Sequence, residues 1–224
     1  AGAAVHCTPG FNALRVFTWF EAERPTWYTA VPTMHQAILA RAPRNKETVA
    51  AMALRFIRSS SSSLPPPVMH DLEAVFGVPV IESYGMTEAS HQMTSNQLPP
   101  GTRKPGSVGV AAGPEAAIMD NTGALLPQGD TGEVVIRGDN VTQKYENNPD
   151  ANATAFTDGW FRTGDQGALD ADGFLTITGR LKEIINRGGE KIAPLEVDNI
   201  LMTHDAVAQA VTFAMPHDKL GEDV

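Results

Sequence analysis

Apolar and polar positions follow two alternating patterns over the first 83 residues. Short β-branched or apolar runs predict strands, and the amphipathic stretches between them predict helices. The predicted strands are AAVHC, WYTAV, LRFIR and VPVIES, and the predicted helices span about 12–23, 32–41 and 67–76. Pro32 suits a first helical turn, and Gly77 suits a helix C-terminus. Strands that alternate with helices favour a parallel sheet, which binds ligands at the carboxyl ends of its strands.

The pattern changes after about residue 106. Turn sequences at 120–123, 127–132 and 170–173 separate the short runs AAIMD, EVVIRG and FLTIT, which predicts antiparallel hairpins. A basic, glycine-containing stretch then precedes a predicted helix at about 194–203 and a predicted strand at about 207–215. The fold class is therefore α/β. We expect a parallel-sheet α/β subdomain, an antiparallel β-rich subdomain and the start of a small α+β C-terminal domain, over 1–106, 107–179 and 180–224.

Composition narrows the class of protein. The chain has 224 residues, of which 42% are hydrophobic and 19% charged, as in soluble globular proteins rather than disordered chains. The net charge of −9 argues against non-specific binding of nucleic acid. No apolar run approaches the roughly 18 residues that a membrane span needs. Cys7 is the only cysteine, so we expect a reducing compartment, either the cytoplasm or a peroxisome.

Two polar segments follow predicted strands at the expected ligand-binding edge. The composition of 59–63, all serine, favours a linker, whereas its position between a strand and a helix favours a loop close to a flat ligand. In the segment ESYGMTEAS, Tyr84 offers a ring for a base, Thr87 a hydroxyl for a phosphate, and Glu88 a carboxylate for Mg²⁺. The alternative is a surface turn in which Glu88 is merely solvated.

Asp165, in WFRTGD, and Arg180, in TITGRLKEI, form a third candidate group. A carboxylate is the usual partner of ribose hydroxyls, and a nearby arginine adds donors to the sugar or a phosphate. The alternative is a surface turn and a solvated basic strand. No two of the six histidines have metal-ligand spacing. Sequence motifs of P-loop NTPases, dinucleotide-binding proteins and serine hydrolases do not occur in the chain.

Six segments together resemble the adenylate-forming acyl-activating enzymes. In chain order they are YTAVPTMHQAIL, RSSSSSLPP, YGMTEAS, GEVVIRG, GWFRTGD and GRLKEIINRGGEKIAPLEVD, and they span nearly the whole chain. The wording is most similar to the oxalate–CoA ligases, through WYTAVPTMHQ, RSSSSSL, MTEASH and NVTQKYENNP. The resemblance implies that 1–106 is the C-terminal part of a large AMP-binding domain, that 107–179 belongs to the same domain, and that 180–224 begins a mobile domain.

The resemblance also implies a reaction and its cofactors. ATP and a carboxylic acid, here oxalate, would give an acyl-adenylate and pyrophosphate, and CoA would then take the acyl group and release AMP. Mg²⁺ would accompany the nucleotide. Alternatives are a 4-coumarate or fatty acyl-CoA ligase, an adenylation domain that loads a carrier protein, and a non-catalytic nucleotide-binding module.

The resemblance assigns roles residue by residue. Tyr84 would stack on adenine, Thr87 would contact the α-phosphate, and Glu88 would hold Mg²⁺. Asp165 would bind the ribose, and Arg180 the ribose or a phosphate. The residues expected to line the adenine and acyl pocket are Ser60, Ser61 and Ser62.

Further roles concern the acid, CoA and the domain hinge. Lys182 would lie at the hinge, which makes it a catalytic candidate together with Thr87 and Glu88, and Gly188 and Gly189 would line the pantetheine tunnel. Because a small dianion needs donors and positive charge, we assign His91, with Ser62, to the acid; the alternative is a polar rim residue. The chain starts at Ala1 and lacks the family's phosphate-binding loop, a histidine-containing segment and the C-terminal lysine. We therefore expect a piece of a longer enzyme, inactive and prone to aggregate by itself.

Overall fold

The computed structural model describes residues 3–204, 206–207 and 209–224. The α-helices in these ranges are α1 (Val16–Glu23), α2 (Pro32–Leu39), α3 (Lys46–Ala51), α4 (Pro66–Phe76), α5 (Pro149–Ala155) and α6 (Pro194–Leu201). Four of them begin at a proline, where the missing N–H costs no helical hydrogen bond. Gly77 ends α4 with a left-handed φ of 67°, as predicted. None of these helices has both the length and the apolar character needed to cross a bilayer.

The first sheet is mixed rather than wholly parallel. Its strands lie in chain order: β1 (Trp27–Ala30), β2 (Phe56–Ser59), β3 (Val80–Met86), β4 (His91–Ser95) and β5 (Val110–Ala111). The predicted parallel pairing is confirmed for β1, β2 and β3. From Ser83 onward, however, β3 pairs with β4 in the antiparallel direction, so antiparallel structure starts well before residue 106.

Apolar faces of the helices cover this sheet. Met69 and Leu72, three residues apart on α4, are buried against Ile57 of β2 and Val80 of β3. Phe17 and Phe20 of α1 form a neighbouring cluster with Ile38 of α2. Tyr28 and Phe76 pack against both clusters.

The second and third sheets are antiparallel. The second has the order β10 (Leu175–Arg180), β9 (Trp160–Leu169), β7 (Thr131–Arg137) and β6 (Glu115–Met119), with β8 (Phe156–Thr157) paired to β9. The third has the order β12 (Glu190–Ile192), β11 (Ile185–Arg187), β14 (Gly221–Asp223) and β13 (Met215–His217). The predicted sequence of parallel, then antiparallel, sheets is thus confirmed. The division into domains at 106 and 180 stays a prediction.

Two predicted strands are wrong. Residues 3–7, AAVHC, form no strand; they are exposed and have no neighbouring strand to bond their backbone. For the strand predicted at about 207–215, Ala208 lies outside the described residues, and 209–214 have no regular structure. A strand begins only at Met215. The sequence pattern also failed to predict α3 and β4.

A buried carboxyl group anchors the serine-rich segment. Glu82 of β3 is only 1% exposed, and its Oε1 accepts a hydrogen bond of 2.7 Å from the Leu64 N–H. Leu64 is itself fully buried. Burial raises the pKa of Glu82 to about 7, against the opposing effect of the Leu64 N–H. The segment that follows β2 is therefore a loop fixed to β3, which favours the loop interpretation over the linker.

The substitution Glu82→Gln tests this buried carboxyl. The pKa of Glu82 is higher in the folded than in the unfolded chain, so its stabilising contribution is complete below about pH 4.5 and is lost as the pH rises through about 7. Glutamine still accepts from Leu64 but cannot ionise. We expect the variant to gain, relative to the parent protein, on the order of 3 kcal/mol of unfolding free energy between about pH 5 and pH 8.

Urea unfolding at the two pH values measures this difference. Glu146→Gln, at an exposed glutamate, is the matched control and should keep the pH dependence of the parent. If the unfolding free energy depends on pH in the same way in Glu82→Gln and in the parent, the raised pKa of a buried Glu82 is contradicted.

Candidate active site

A cavity of about 750 Å³ lies at the carboxyl ends of β2 and β3, between the first and second sheets. This volume is within the range of small-molecule binding sites. It is also at the edge where the alternating pattern placed a ligand. The predicted site residues among its lining residues are Ser60, Ser61, Thr87, Glu88, His91 and Arg180. Three separate parts of the chain that carry predicted site residues therefore meet at one cavity.

A tight turn between β3 and β4 positions Thr87 and Glu88. It consists of one 3₁₀ turn, Thr87–Ala89, followed by two non-glycine residues with left-handed φ, 51° at Ser90 and 86° at His91. Such conformations cost energy and persist only where the surroundings enforce them. Gly85 is part of that enforcement, because a Cβ there would lie 1.5 Å from the carbonyl oxygen of His91. The absence of a side chain lets β4 start directly against β3.

The segment 140–145 holds this turn from the other side. Tyr145 donates its hydroxyl to Glu88 Oε1 at 2.9 Å, and the Thr142 N–H donates to the Glu88 carbonyl at 2.6 Å. Asn140 Nδ2 donates to the Ala89 carbonyl at 2.8 Å. Glu88 is thus held at the cavity wall by Tyr145. This contact favours the site interpretation over the alternative, a surface turn in which Glu88 is only solvated. Sequence reasoning missed Tyr145, although NVTQKY was part of the resemblance.

Asp165 connects the two large sheets beside the cavity. Its Oδ2 accepts a hydrogen bond of 2.5 Å from the Tyr84 hydroxyl of β3, and its Oδ1 lies 3.1 Å from Arg180 Nε of β10. The Asp165 side chain is 6% exposed, whereas that of Arg180 is 55% exposed. Both carboxylate oxygens are therefore engaged, and a ligand that binds Asp165 would compete first with its more exposed partner, Arg180.

Tyr84 of the first sheet bonds to Asp165 of the second. It is not among the residues that line the cavity, because β3 continues to Met86 and carries the ring inward between apolar residues of both sheets. Burial, and then the charge of Asp165, raise the pKa of the Tyr84 hydroxyl. The structure therefore shows Tyr84 as a half-buried donor to Asp165, and its stacking on adenine stays a prediction.

The strand that carries Asp165 is fixed by a second buried carboxylate. Glu133 of β7 accepts from Arg162 Nε at 2.8 Å and from the Gly164 N–H at 2.9 Å. Thr163 donates its hydroxyl to the Val134 carbonyl at 2.7 Å. Arg162 and Thr163 also line the cavity, but sequence reasoning missed them. Their only signal was the WFRTGD motif around Asp165.

Arg58 of β2 lies behind the cavity wall and was also missed. Its guanidinium donates to Ser60 Oγ at 3.1 Å and lies 3.1 Å from His91 Nε2. A longer contact of 3.4 Å reaches Thr29 Oγ1 on β1. The basic side chain thus joins the serine-rich loop to the first residue of β4.

Other predicted site residues lie away from the large cavity. Lys182 belongs to a 3₁₀ turn, Leu181–Glu183, and lines a smaller cavity of about 270 Å³ with Arg180 and Thr163. The three remaining predictions are exposed residues that line neither cavity: Ser62, Gly188 and Gly189. In the described ranges, no three His, Cys, Asp or Glu side chains cluster as a metal site.

Known proteins match the chain over its whole length. The family described as AMP-binding enzyme matches residues 1–146. A probable CoA ligase, CCL9, from Humulus lupulus is 53% identical over 100% of the chain and 43% of the relative. An oxalate–CoA ligase from Arabidopsis thaliana is 51% identical over 100% of the chain and 44% of the relative. ATP-bound MatB from Rhodopseudomonas palustris is 33% identical, with a TM-score of 0.87, over 96% of the chain and 42% of that protein. The chain spans less than half the length of each.

The close approach at Gly85 can be tested by adding one methyl group. Gly85→Ala places a Cβ against the backbone of His91, which cannot move without disturbing the turn at Thr87. We expect the unfolding free energy to fall by roughly 3 kcal/mol or more.

Gly179→Ala is the matched control on β10, because its Cβ would meet only Ile184 Cδ1 at 3.5 Å. It should change the unfolding free energy by less than about 1 kcal/mol. Denaturant unfolding of both variants measures the difference, and equal effects would contradict the steric requirement.

Proposed function

The chain belongs to the family of AMP-binding enzymes, and on this premise we propose that the protein is an acid–CoA ligase. One oxygen of the acid's carboxylate attacks the α-phosphorus of ATP and expels pyrophosphate, giving an acyl-adenylate. The thiol of CoA then attacks the acyl carbon, forms a thioester and releases AMP. The observation that supports this proposal is the convergence of Ser60, Thr87, His91 and Arg180 on one cavity.

The nucleotide would occupy the part of the cavity between Thr87 and Arg180. The hydroxyl of Thr87 and the guanidinium of Arg180 supply donors for the α-phosphate, where negative charge develops during adenylation. Asp165 would take the ribose hydroxyls once Arg180 turns away to the phosphate. Fixed donors at this position orient the acid and the phosphate for in-line attack.

Glu88 suits the Mg²⁺ that would accompany ATP. Mg²⁺ in nucleotide sites is bound through one or two carboxylates together with substrate phosphates, rather than by an all-protein cage. Glu88 offers one oxygen to the cavity wall, while Tyr145 holds the carboxylate in position. When bound, the ion would neutralise phosphate charge; the protein's own part is to place Glu88.

We further propose oxalate as the acid. Ser60, Ser61 and His91 make the adjoining wall polar, and Arg58 adds a positive charge behind it. Such a wall favours a small dianion over the apolar chain of an aryl or fatty acid. The name of the relative that is 51% identical, an oxalate–CoA ligase, supports the same choice.

The C-terminal residues would serve the second half-reaction. Lys182 lies in the turn that links β10 of the second sheet to β11 of the third, which suits a hinge at the start of 180–224. Gly188 and Gly189 form the exposed turn between β11 and β12. After rotation about the hinge, this turn would line the path of the CoA pantetheine arm.

A pyrophosphate-release assay on the full-length gene product tests the proposed function. With ATP and Mg²⁺, we expect release that depends on oxalate and exceeds release with cinnamates or fatty acids. Free CoA should then yield the thioester and AMP without a carrier protein. If none of the tested acids supports pyrophosphate release, the proposed ligase activity is contradicted. If cinnamate supports release and oxalate does not, oxalate is contradicted as the substrate.

The substitution His91→Phe tests the acid site separately from the nucleotide site. Phenylalanine removes the donor and inserts an apolar ring, so we expect the kcat/KM for oxalate to fall by at least about 100-fold. ATP binding, measured by calorimetry, should stay within about twofold of the parent because Thr87 and Arg180 are untouched.

His70→Phe, at an exposed histidine on α4, provides the matched control. It should leave both oxalate turnover and ATP binding unchanged. Unchanged oxalate turnover in His91→Phe would remove His91 from the acid site.

A further inference from the structure

Arg58 occupies an unusual position for a basic side chain. Its neighbours on β2, Ile57 and Ser59, are buried on one face of the sheet, so Arg58 projects from the other face. There it contacts Ser60 Oγ and His91 Nε2, both at 3.1 Å. Ser60 and His91 line the large cavity and Arg58 does not, so the guanidinium acts on the cavity through these two side chains.

Arg58 has no acidic partner within the part of the chain that the structure describes. Among residues 3–204, 206–207 and 209–224, none of the ion pairs involves Arg58. Arg162 and Arg180, the other two arginines at the cavity, each have an acidic partner. Partial burial of Arg58 lowers its pKa because the charged form loses hydration. A half-buried, unpaired guanidinium is costly for the fold unless it serves an anion that arrives from outside.

The contact with His91 fixes which ring nitrogen carries the proton. A guanidinium has donors and no acceptor, so Nε2 of His91 must accept the hydrogen bond from Arg58. In that arrangement the ring proton lies on Nδ1. The ring therefore presents a donor on the side that is not occupied by Arg58.

We propose that Arg58 is a positioning residue that makes the acid pocket selective for short acids with a second anionic group. It holds His91 with the proton on Nδ1, and it places an unpaired positive charge behind Ser60 and His91. Adenylation neutralises one carboxylate of such an acid, while the other remains an anion that needs these donors. The inference deepens the proposed function, on which it rests for the identity of the bound acid.

Two substitutions at Arg58 separate its charge from its shape, and a third provides the control. Arg58→Met removes the charge and the donors, whereas Arg58→Lys keeps the charge but loses the fork of donors. Arg55→Met is matched to the first, because Arg55 is exposed and only lies over the Phe56 ring. All three are made in the full-length gene product.

The kinetic measurement compares oxalate with glyoxylate, which has the same two carbons but a single carboxylate. For Arg58→Met we expect the KM for oxalate to rise by about tenfold or more, while the KM for ATP stays unchanged. The preference for oxalate over glyoxylate should shrink in the same variant and be partly kept in Arg58→Lys. A merely structural role would instead lower kcat for both acids and the melting temperature together. Arg55→Met should behave as the parent.

A second readout does not depend on turnover. In protein labelled with ¹⁵N-histidine, the two ring nitrogens of a neutral imidazole have distinct shifts that report which one is protonated. His91, assigned by the loss of its signals in His91→Gln, should carry its proton on Nδ1 in the parent and in Arg55→Met. In Arg58→Met the proton should move to Nε2 in a substantial fraction of molecules.

The two readouts distinguish failure of this inference from failure of the proposed function. An unchanged tautomer together with an unchanged KM for oxalate in Arg58→Met would overturn the role of Arg58. Equal use of oxalate and glyoxylate by the parent would overturn the selectivity while leaving the ligase intact. If the parent activates no acid at all, the proposed function and the acid selectivity fail. A tautomer shift in Arg58→Met would then still support the hydrogen bond by which Arg58 keeps the proton of His91 on Nδ1.

Discussion

A single buried carboxylate, Asp165, joins the two large sheets at the point where the cavity opens. It accepts a hydrogen bond from Tyr84 of the first sheet and pairs with Arg180 of the second. A carboxylate with so little access to water is tolerated only when its oxygens are bonded, so these contacts fix how β3 meets β9 and β10. The cavity walls, Thr87 on one side and Arg180 on the other, follow from that arrangement.

The polar side chains around the cavity are also held in position by hydrogen bonds and ion pairs. The carboxylates near the cavity have specific partners: Glu88 has Tyr145, Glu133 has Arg162, and Asp165 has two. The side chain of Arg180 is more exposed than that of Arg162, and Arg180 ends β10 immediately before the turn that contains Lys182. Arg180, which pairs with Asp165, is therefore also the residue at which the chain leaves the second sheet.

The sequence predicted the strands and helices whose periodicity is local. β1, β2 and most of β3 were found, as were α2, α4 and α6, because each buries one regular face or run. The run AAVHC has the same local pattern, but it has no neighbouring strand and stays exposed. The extension of β3 through Met86 was missed because it depends on pairing with β4, a strand that the sequence pattern did not predict.

The candidate site divides in the same way. Thr87, Glu88, Asp165 and Arg180 could be named from motifs and from the resemblance to a family. Arg58 and Tyr145 could not, because their roles come from contacts between residues 33 and 57 positions apart, to His91 and Glu88. The inward position of Tyr84 likewise depends on the packing of two sheets, which no local pattern encodes.

A crystal structure of the full-length gene product with bound AMP tests the central claim most directly. The account predicts that the phosphate lies between Thr87 and Arg180, and that the ribose hydroxyls take the place of Arg180 on Asp165. The Tyr84 hydroxyl should remain on the second oxygen of that carboxylate. A nucleotide bound outside this cavity, with the Asp165–Arg180 pair intact, would contradict the account.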